Sequence, residues 1–299
     1  MRKKLRVWIS AFRLRTLPLA LSCSVMGSFL AYSSHSFRWE ILVLAVLTTL
    51  FLQILSNLAN DYGDTVHGVD NESRLGPKRV TQSGKVTRKD MRIAIGIFSF
   101  LALVSGSWLI FEGLQTLWQI ILFFVLGIGA ILAAIKYTVG KNPYGYAGLG
   151  DLFVFIFFGL VGVTGTYYLH THDFSAWTLL PATSVGLLSS GVLNLNNMRD
   201  IENDAKSGKH TLVVRLGSQK AKTYHTILLV LAMLLSVIYV IRFNHSPWQW
   251  IFLLTFPLFL RNIGVVLRNH EPPELNNELK RLSLSTFVFT FVFGLASIL

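Results

Sequence analysis

The sequence predicts an all-α fold, a polytopic bundle of about nine membrane-spanning helices forming one domain over residues 1–299. Three observations predict it. Hydrophobic residues make up 52% of the chain and charged residues 14%, against about a quarter charged in a soluble protein. The apolar residues come in runs of spanning length rather than at amphipathic spacing. The basic residues sit between those runs and alternate in density from loop to loop.

The elements follow in order. Met1-Arg2-Lys3-Lys4-Leu5-Arg6 resembles the charged start of a signal peptide, but no A-x-A-like cleavage site follows. Arg13, Arg15 and Pro18 interrupt the apolar run, so this segment is expected to be a retained, interfacial lead into the first span, 16–34. The next loop has only Arg38. The second span, 41–60, runs into a polar stretch with Arg74, Lys78, Arg79, Lys85, Arg88, Lys89 and Arg92. The third, 91–111, ends near Glu112 with no basic residue, and the fourth, 117–137, ends at Lys136 and Lys141. The fifth, 150–169, is rich in Phe and Gly and precedes a loop with His170, His172 and Asp173 but no Lys or Arg. The sixth, 177–198, leads into Arg199, Lys206, Lys209, Arg215, Lys220 and Lys222. The seventh, 224–242, ends at Arg242; the eighth, 248–267, is followed by Arg268, Lys280 and Arg281; the ninth is 282–298. The alternation holds at every step and places the amino terminus in the cytoplasm and the carboxy terminus outside.

Two loops, about 65–90 and 200–222, are longer and carry both signs of charge, as expected of functional loops that cap a site. Each is entered through a polar cluster. One is Asn60-Asp61-Tyr62-Gly63-Asp64 with Asp70 beyond it; the other runs from Asn196 and Asn197 through Asp200 to Asp204. Each contains Asn-x-x-x-Asp, at Asn60/Asp64 and Asn196/Asp200. Residues four apart share a helix face, so each cluster presents an amide and carboxylates in one direction. A single acidic residue at a helix end is usually a cap. Two such clusters on one expected face of a membrane bundle point to hard cations such as Mg²⁺. Both clusters are separated by 136 residues at each matching position, which hints at a partial internal repeat.

Mg²⁺ prefers a few carboxylates completed by substrate phosphate oxygens. Carboxylate clusters rimmed by Arg15, Arg74, Lys78, Arg79, Lys85, Lys141, Arg199 and Lys209 therefore suit a diphosphate. An apolar bundle behind them makes it a lipid diphosphate. Ionisation of an allylic C–O bond needs a dry cavity with aromatic faces, for which Tyr62, Tyr137, Tyr144, Tyr146 and the Phe residues of the fifth span are candidates. The formal charge of +12 is spread over loops with no recognition module, which argues against nucleic acid. There is no glycine-rich phosphate loop, the eight histidines show no metal spacing, and the single Cys23 excludes an internal disulfide. A cation-coupled transporter is the reading from another class; its sites usually lie near the bilayer midplane.

These residues resemble the UbiA-type intramembrane aromatic prenyltransferases. The first motif of that superfamily matches Asn60, Asp64 and Asp70; the second matches Asn196, Asp200 and Asp204; a Tyr-x-x-x-Lys step between them matches Tyr137 and Lys141. The acidic position four after Asp64 is Gly68 here, and Asp70 stands two residues later. Within the superfamily the chain resembles the branch that prenylates 1,4-dihydroxy-2-naphthoate. The matching runs are Asn57-Leu-Ala-Asn-Asp-Tyr-Gly-Asp64, Gly68-Val-Asp-Asn-Glu72, Arg15-Thr-Leu-Pro18 and Gly208-Lys-His-Thr-Leu212. The resemblance implies Mg²⁺ held by Asn60, Asp61, Asp64, Asp70, Asn196, Asp200 and Asp204, with Asp64, Asp200 and Asp204 essential to catalysis. It implies a polyprenyl diphosphate donor and loss of CO₂ and diphosphate to give demethylmenaquinone, at the bacterial inner membrane. Acceptors such as 4-hydroxybenzoate or homogentisate remain open within the same superfamily.

Overall fold

The computed structural model describes residues 2–71, 75–243 and 245–299, and every regular element among them is helical. The elements are α1 (Arg2–Phe12), α2 (Leu17–Ser33), α3 (Trp39–Val66), α4 (Arg88–Gly113), α5 (Leu117–Lys136) and α6 (Gly150–Thr171). They continue as α7 (Ala176–Arg199), α8 (Ile201–Lys206), α9 (Leu212–Leu216), α10 (Ser218–Phe243), α11 (Pro247–Arg268) and α12 (Pro272–Ala296). Among the described residues, nine helical stretches are long and apolar enough to cross a membrane, the first formed by α1 and α2 together. The chain is an integral membrane protein.

Local chemistry explains the boundaries. Arg13 adopts a left-handed conformation, φ 50°, and with Pro18 in the first turn of α2 it breaks the amino-terminal run into two helices. Asn57 fixes that elbow by donating to the Phe12 carbonyl at 3.0 Å and to the Thr16 hydroxyl at 3.2 Å. Three helices overrun the expected spans. α3 continues to Val66, α10 begins at Ser218, and α12 begins at Pro272. In α12 the overrun is possible because the buried carboxylate of Glu278 accepts from Asn262 at 3.0 Å and pairs with Arg281 at 2.5 Å. A charge neutralised inside the bundle does not end a helix.

The main core joins α2, α6, α7, α10, α11 and α12, with Phe252, Phe259, Phe289 and Phe293 among its fully buried side chains. α7 lies at its centre. α6 is π-helical from Phe155 to Thr164 and packs backbone to backbone on α7. A Cβ at Gly159 would lie 2.7 Å from the Cα of Gly186, so both positions need glycine for the helices to meet. A smaller cluster seats the amphipathic α1 on α3 and α4 through Ala11, Leu58, Val80 and Met91.

Candidate functional site

The first cluster occupies the last turns of α3. Asp64 is buried, accepts the Tyr146 hydroxyl at 2.7 Å, and pairs with the Arg79 guanidinium at 2.6 Å. Arg79 also lies 3.1 Å from Asp70 and donates to the Asn60 carbonyl. The Asn60 side-chain oxygen accepts the Thr138 hydroxyl at 3.2 Å. Burial alone would lower the Arg79 pKa; Asp64, Asp70, Asp61 and Asp200 more than reverse that and hold it above its ordinary value. Two carboxylates, Asp64 and Asp70, thus pair directly with one permanent cation.

Gly63 lets this cluster close. A Cβ there would stand 2.5 Å from the Thr138 carbonyl oxygen and 2.6 Å from its hydroxyl. Gly63→Ala is expected to push Thr138 off Asn60 and to cost about 1–3 kcal/mol by overpacking. The check is the thermal midpoint in detergent; an unchanged midpoint would show that the 138–141 turn yields freely.

The second cluster lies where α7 ends. Arg199 is 2% exposed and forks onto Asp200 at 3.1 and 2.5 Å, with further bonds to Asn196 at 2.9 Å and Asn276 at 2.8 Å. Asp204, in α8, lies 3.7 Å from Lys209. The two clusters meet across the bundle. Asn203 donates to the Val69 carbonyl at 2.9 Å, and His210 donates its backbone N–H to Tyr146 at 3.0 Å.

Between them opens a cavity of about 310 Å³. Its polar end carries Arg13, Asn60, Asp64, Arg79, Asn196 and Lys209. Its deeper wall carries Tyr137, Tyr144, Phe153, Phe157 and Phe158, with the Tyr144 and Phe153 rings stacked at 4.1 Å. Among the described residues each long loop contributes one base to the polar end, Arg79 from the first and Lys209 from the second. Lys209 also stands 5.5 Å above the Tyr146 ring. Burial raises the pKa of Tyr137, and Asp64, Asp151 and Asp204 raise it further. Burial likewise raises that of Tyr146, reinforced by the charge of Asp64 and the hydrogen bond to it. Both phenols therefore stay protonated, and Tyr146 donates its hydroxyl to Asp64.

Several expected site residues lie elsewhere. Asp61 faces away from the cavity, and its two oxygens accept the backbone N–H groups of Val80 at 3.2 Å and Thr81 at 3.3 Å. It anchors the first loop and departs from the expected ligand set. Lys85 is exposed and lines a separate groove. Lys141 and Arg15 are exposed and do not line the central cavity. Tyr62 packs into the cluster under α1. Asp70, Arg199, Asp200 and Asp204 are buried just behind the cavity wall. Arg74 lies outside the described residues. Arg13 is the residue that sequence reasoning missed: its signal was a cation inside the first apolar run, a costly placement that usually marks function.

The donor set fits Mg²⁺. Among the described residues no three acidic or histidine side chains gather at one point. Each cluster instead offers one or two carboxylates beside an amide oxygen. That is the sparse, all-oxygen set of a Mg²⁺ ion completed by substrate phosphates and water.

Comparison with known proteins gives a consistent result. The family description "UbiA prenyltransferase family" matches residues 20–289. The 1,4-dihydroxy-2-naphthoate octaprenyltransferase of Haemophilus influenzae is 44% identical, over 98% of this chain and 96% of that protein. The enzymes of the same name from Escherichia coli and Mycobacterium tuberculosis are 42% and 36% identical, covering 95% and 94% of this chain and 94% and 93% of theirs. In fold, the chain is similar to a UbiA homolog from Aeropyrum pernix K1 solved in its apo form, with TM-score 0.68 and 17% identity over 95% of this chain and 97% of that one. A UbiA homolog from Archaeoglobus fulgidus bound to GPP and Mg²⁺ is similar with TM-score 0.59 and 17% identity, over 96% and 99% of the two chains.

Proposed function

Since this chain belongs to the UbiA prenyltransferase family, we propose that it transfers a polyprenyl group from polyprenyl diphosphate to 1,4-dihydroxy-2-naphthoate with release of CO₂ and diphosphate. The observation that carries the reading is one cavity with Asn60, Asp64, Arg79, Asn196 and Lys209 at its mouth and aromatic rings below. The near full-length similarity to dihydroxynaphthoate octaprenyltransferases supports the acceptor.

Asn60, Asp64, Asn196, Asp200 and Asp204 would hold Mg²⁺, with Asp70 supporting them through Arg79. Bound there, Mg²⁺ would supply Lewis-acid stabilisation of the leaving diphosphate. The remaining work falls to the chain. Arg79, Lys209 and Arg13 offer N–H donors to the phosphate oxygens, the first two from the loops that cap the mouth. Tyr137, Tyr144 and Phe153 present ring faces along the cavity, where the positive charge of an allylic fragment would spread. The apolar walls exclude water that would otherwise quench it. The naphthoate ring is strongly nucleophilic at the carboxyl-bearing carbon, so orientation is the main demand on the protein. The new C–C bond forms there, the C–CO₂ bond breaks, and its electron pair returns to the ring. No electrons leave the pair of substrates, so the immediate product is the hydroquinone form of demethylmenaquinone. We assign the site and the amino terminus to the cytoplasmic face of a bacterial inner membrane, on the alternation of basic loops.

Membranes holding the protein, given dihydroxynaphthoate and a prenyl diphosphate, are expected to release diphosphate only with Mg²⁺. EDTA should stop release and added Mg²⁺ should restore it. Release at the same rate in EDTA would refute the metal assignment, and metal-driven cation uptake without diphosphate release would favour a transporter.

A further inference from the structure

A second cavity lies apart from the one at the carboxylates. It is a groove of about 800 Å³ between α1, the first long loop and the start of α4. Three cations line it from separate stretches of chain: Arg6 from α1, and Lys78 and Lys85 from opposite ends of the loop turn. All three are exposed, and among the described residues none has a hydrogen-bond or ion-pair partner for its side chain. The bases of the central site, by contrast, are engaged with carboxylates. Among the described residues the groove has one acidic side chain, Asp90, and it is occupied locally, accepting the Thr87 hydroxyl at 2.8 Å at the start of α4.

Below the cations the wall turns apolar. Trp8, Val86, Ala94, Ile93 and Ile97 form it. Ile93 and Ile97 are 52% and 51% exposed on a membrane-spanning helix, so the groove opens sideways onto the hydrocarbon. Basic loops on one face of a membrane protein are ordinarily a topology signal. Here three basic side chains, one from α1 and two from the first long loop, converge over an apolar floor continuous with the bilayer, which complements an anionic amphiphile in shape and charge.

We propose that this groove is a binding site for an anionic phospholipid of the adjoining leaflet. Its phosphate sits among Arg6, Lys78 and Lys85, and its acyl chain runs down over Ile93 and Ile97. The site is separate from the cavity proposed for the prenyl diphosphate and shares no lining residue with it.

The test is native mass spectrometry of the full chain, purified in detergent and offered equal amounts of phosphatidylglycerol and phosphatidylcholine. The wild type is expected to retain phosphatidylglycerol selectively. The triple variant Arg6→Gln/Lys78→Gln/Lys85→Gln is expected to lose that retention by about tenfold or more. A charge-matched control at exposed positions elsewhere, Lys206→Gln/Lys220→Gln/Arg268→Gln, is expected to stay within about twofold of wild type. Retention by the groove triple, or an equal loss in the control, would overturn the proposal. A second measurement does not depend on the folding of the triple variant: a photoreactive phenylalanine analogue at position 97 should crosslink to phosphatidylglycerol, and absence of the crosslink would count against the site. Displacement of that crosslink by geranyl diphosphate without metal would reassign the groove to the prenyl donor and overturn the lipid assignment.

Discussion

Asp64→Asn and Asp200→Asn are each expected to lower prenyl transfer by at least about a hundredfold while the bundle stays folded. The substitution keeps the shape of the side chain and removes the charge. In the first cluster Asp70 still lies 3.1 Å from Arg79, so the guanidinium keeps a carboxylate neighbour. In the second, Arg199 keeps its bonds to Asn196 and Asn276 at 2.9 and 2.8 Å. Stability is therefore buffered in a way that catalysis is not. The proposed ionisation depends on charge held beside the leaving diphosphate, and a neutral amide binds a divalent cation far more weakly than a carboxylate. The check is product formation at saturating prenyl diphosphate together with the thermal midpoint of each variant. Wild-type turnover with an intact midpoint would remove that carboxylate from the proposed metal set.

Arg199→Met should produce the largest loss of stability of any single change at the site, about 3–5 kcal/mol. The guanidinium is 2% exposed, and it joins Asp200, Asn196 and Asn276. Methionine replaces the stem but removes the guanidinium that forks onto the buried Asp200 carboxylate. Removing one partner of a buried pair costs more than the pair contributes, because the other charge stays behind. It follows that adding Asp200→Asn to Arg199→Met should recover a large part of the lost stability and none of the activity. A double-mutant cycle on the thermal midpoint measures this coupling directly. If the two losses simply add, Arg199 acts through α12 and Asn276 and not through Asp200.

The helices were legible because lipid leaves little choice: a spanning segment must be long and apolar, and all nine expected spans reappear. Their ends were less legible. Lys280 and Arg281 read as loop in sequence, yet α12 runs through them, with the neighbouring Glu278 satisfied by Asn262 and Arg281 within the bundle. The paired Asn-x-x-x-Asp spacing marked the cavity mouth, because Asn60, Asp64 and Asn196 line it. Asp61 shows the limit of proximity in sequence. One residue past Asn60 it is turned by about 100°, enough to aim it at the loop backbone instead of the cavity. Loop cations were the least legible. Charge alternation says which side of the membrane a lysine is on, not which cavity it faces. Lys209 and Lys85 look alike in sequence, but one lines the central cavity and the other the groove under α1. Arg13, in sequence only an interruption of the first apolar run, reaches the cavity through a left-handed turn.

The most direct measurement incubates membranes holding the protein with Mg²⁺, a short prenyl diphosphate, and either 1,4-dihydroxy-2-naphthoate or 4-hydroxybenzoate. It follows the mass of the prenylated product and the release of CO₂. Prenylated product with matching CO₂ from dihydroxynaphthoate alone is the predicted result. Product from 4-hydroxybenzoate alone would leave the fold and the diphosphate site standing and contradict the acceptor.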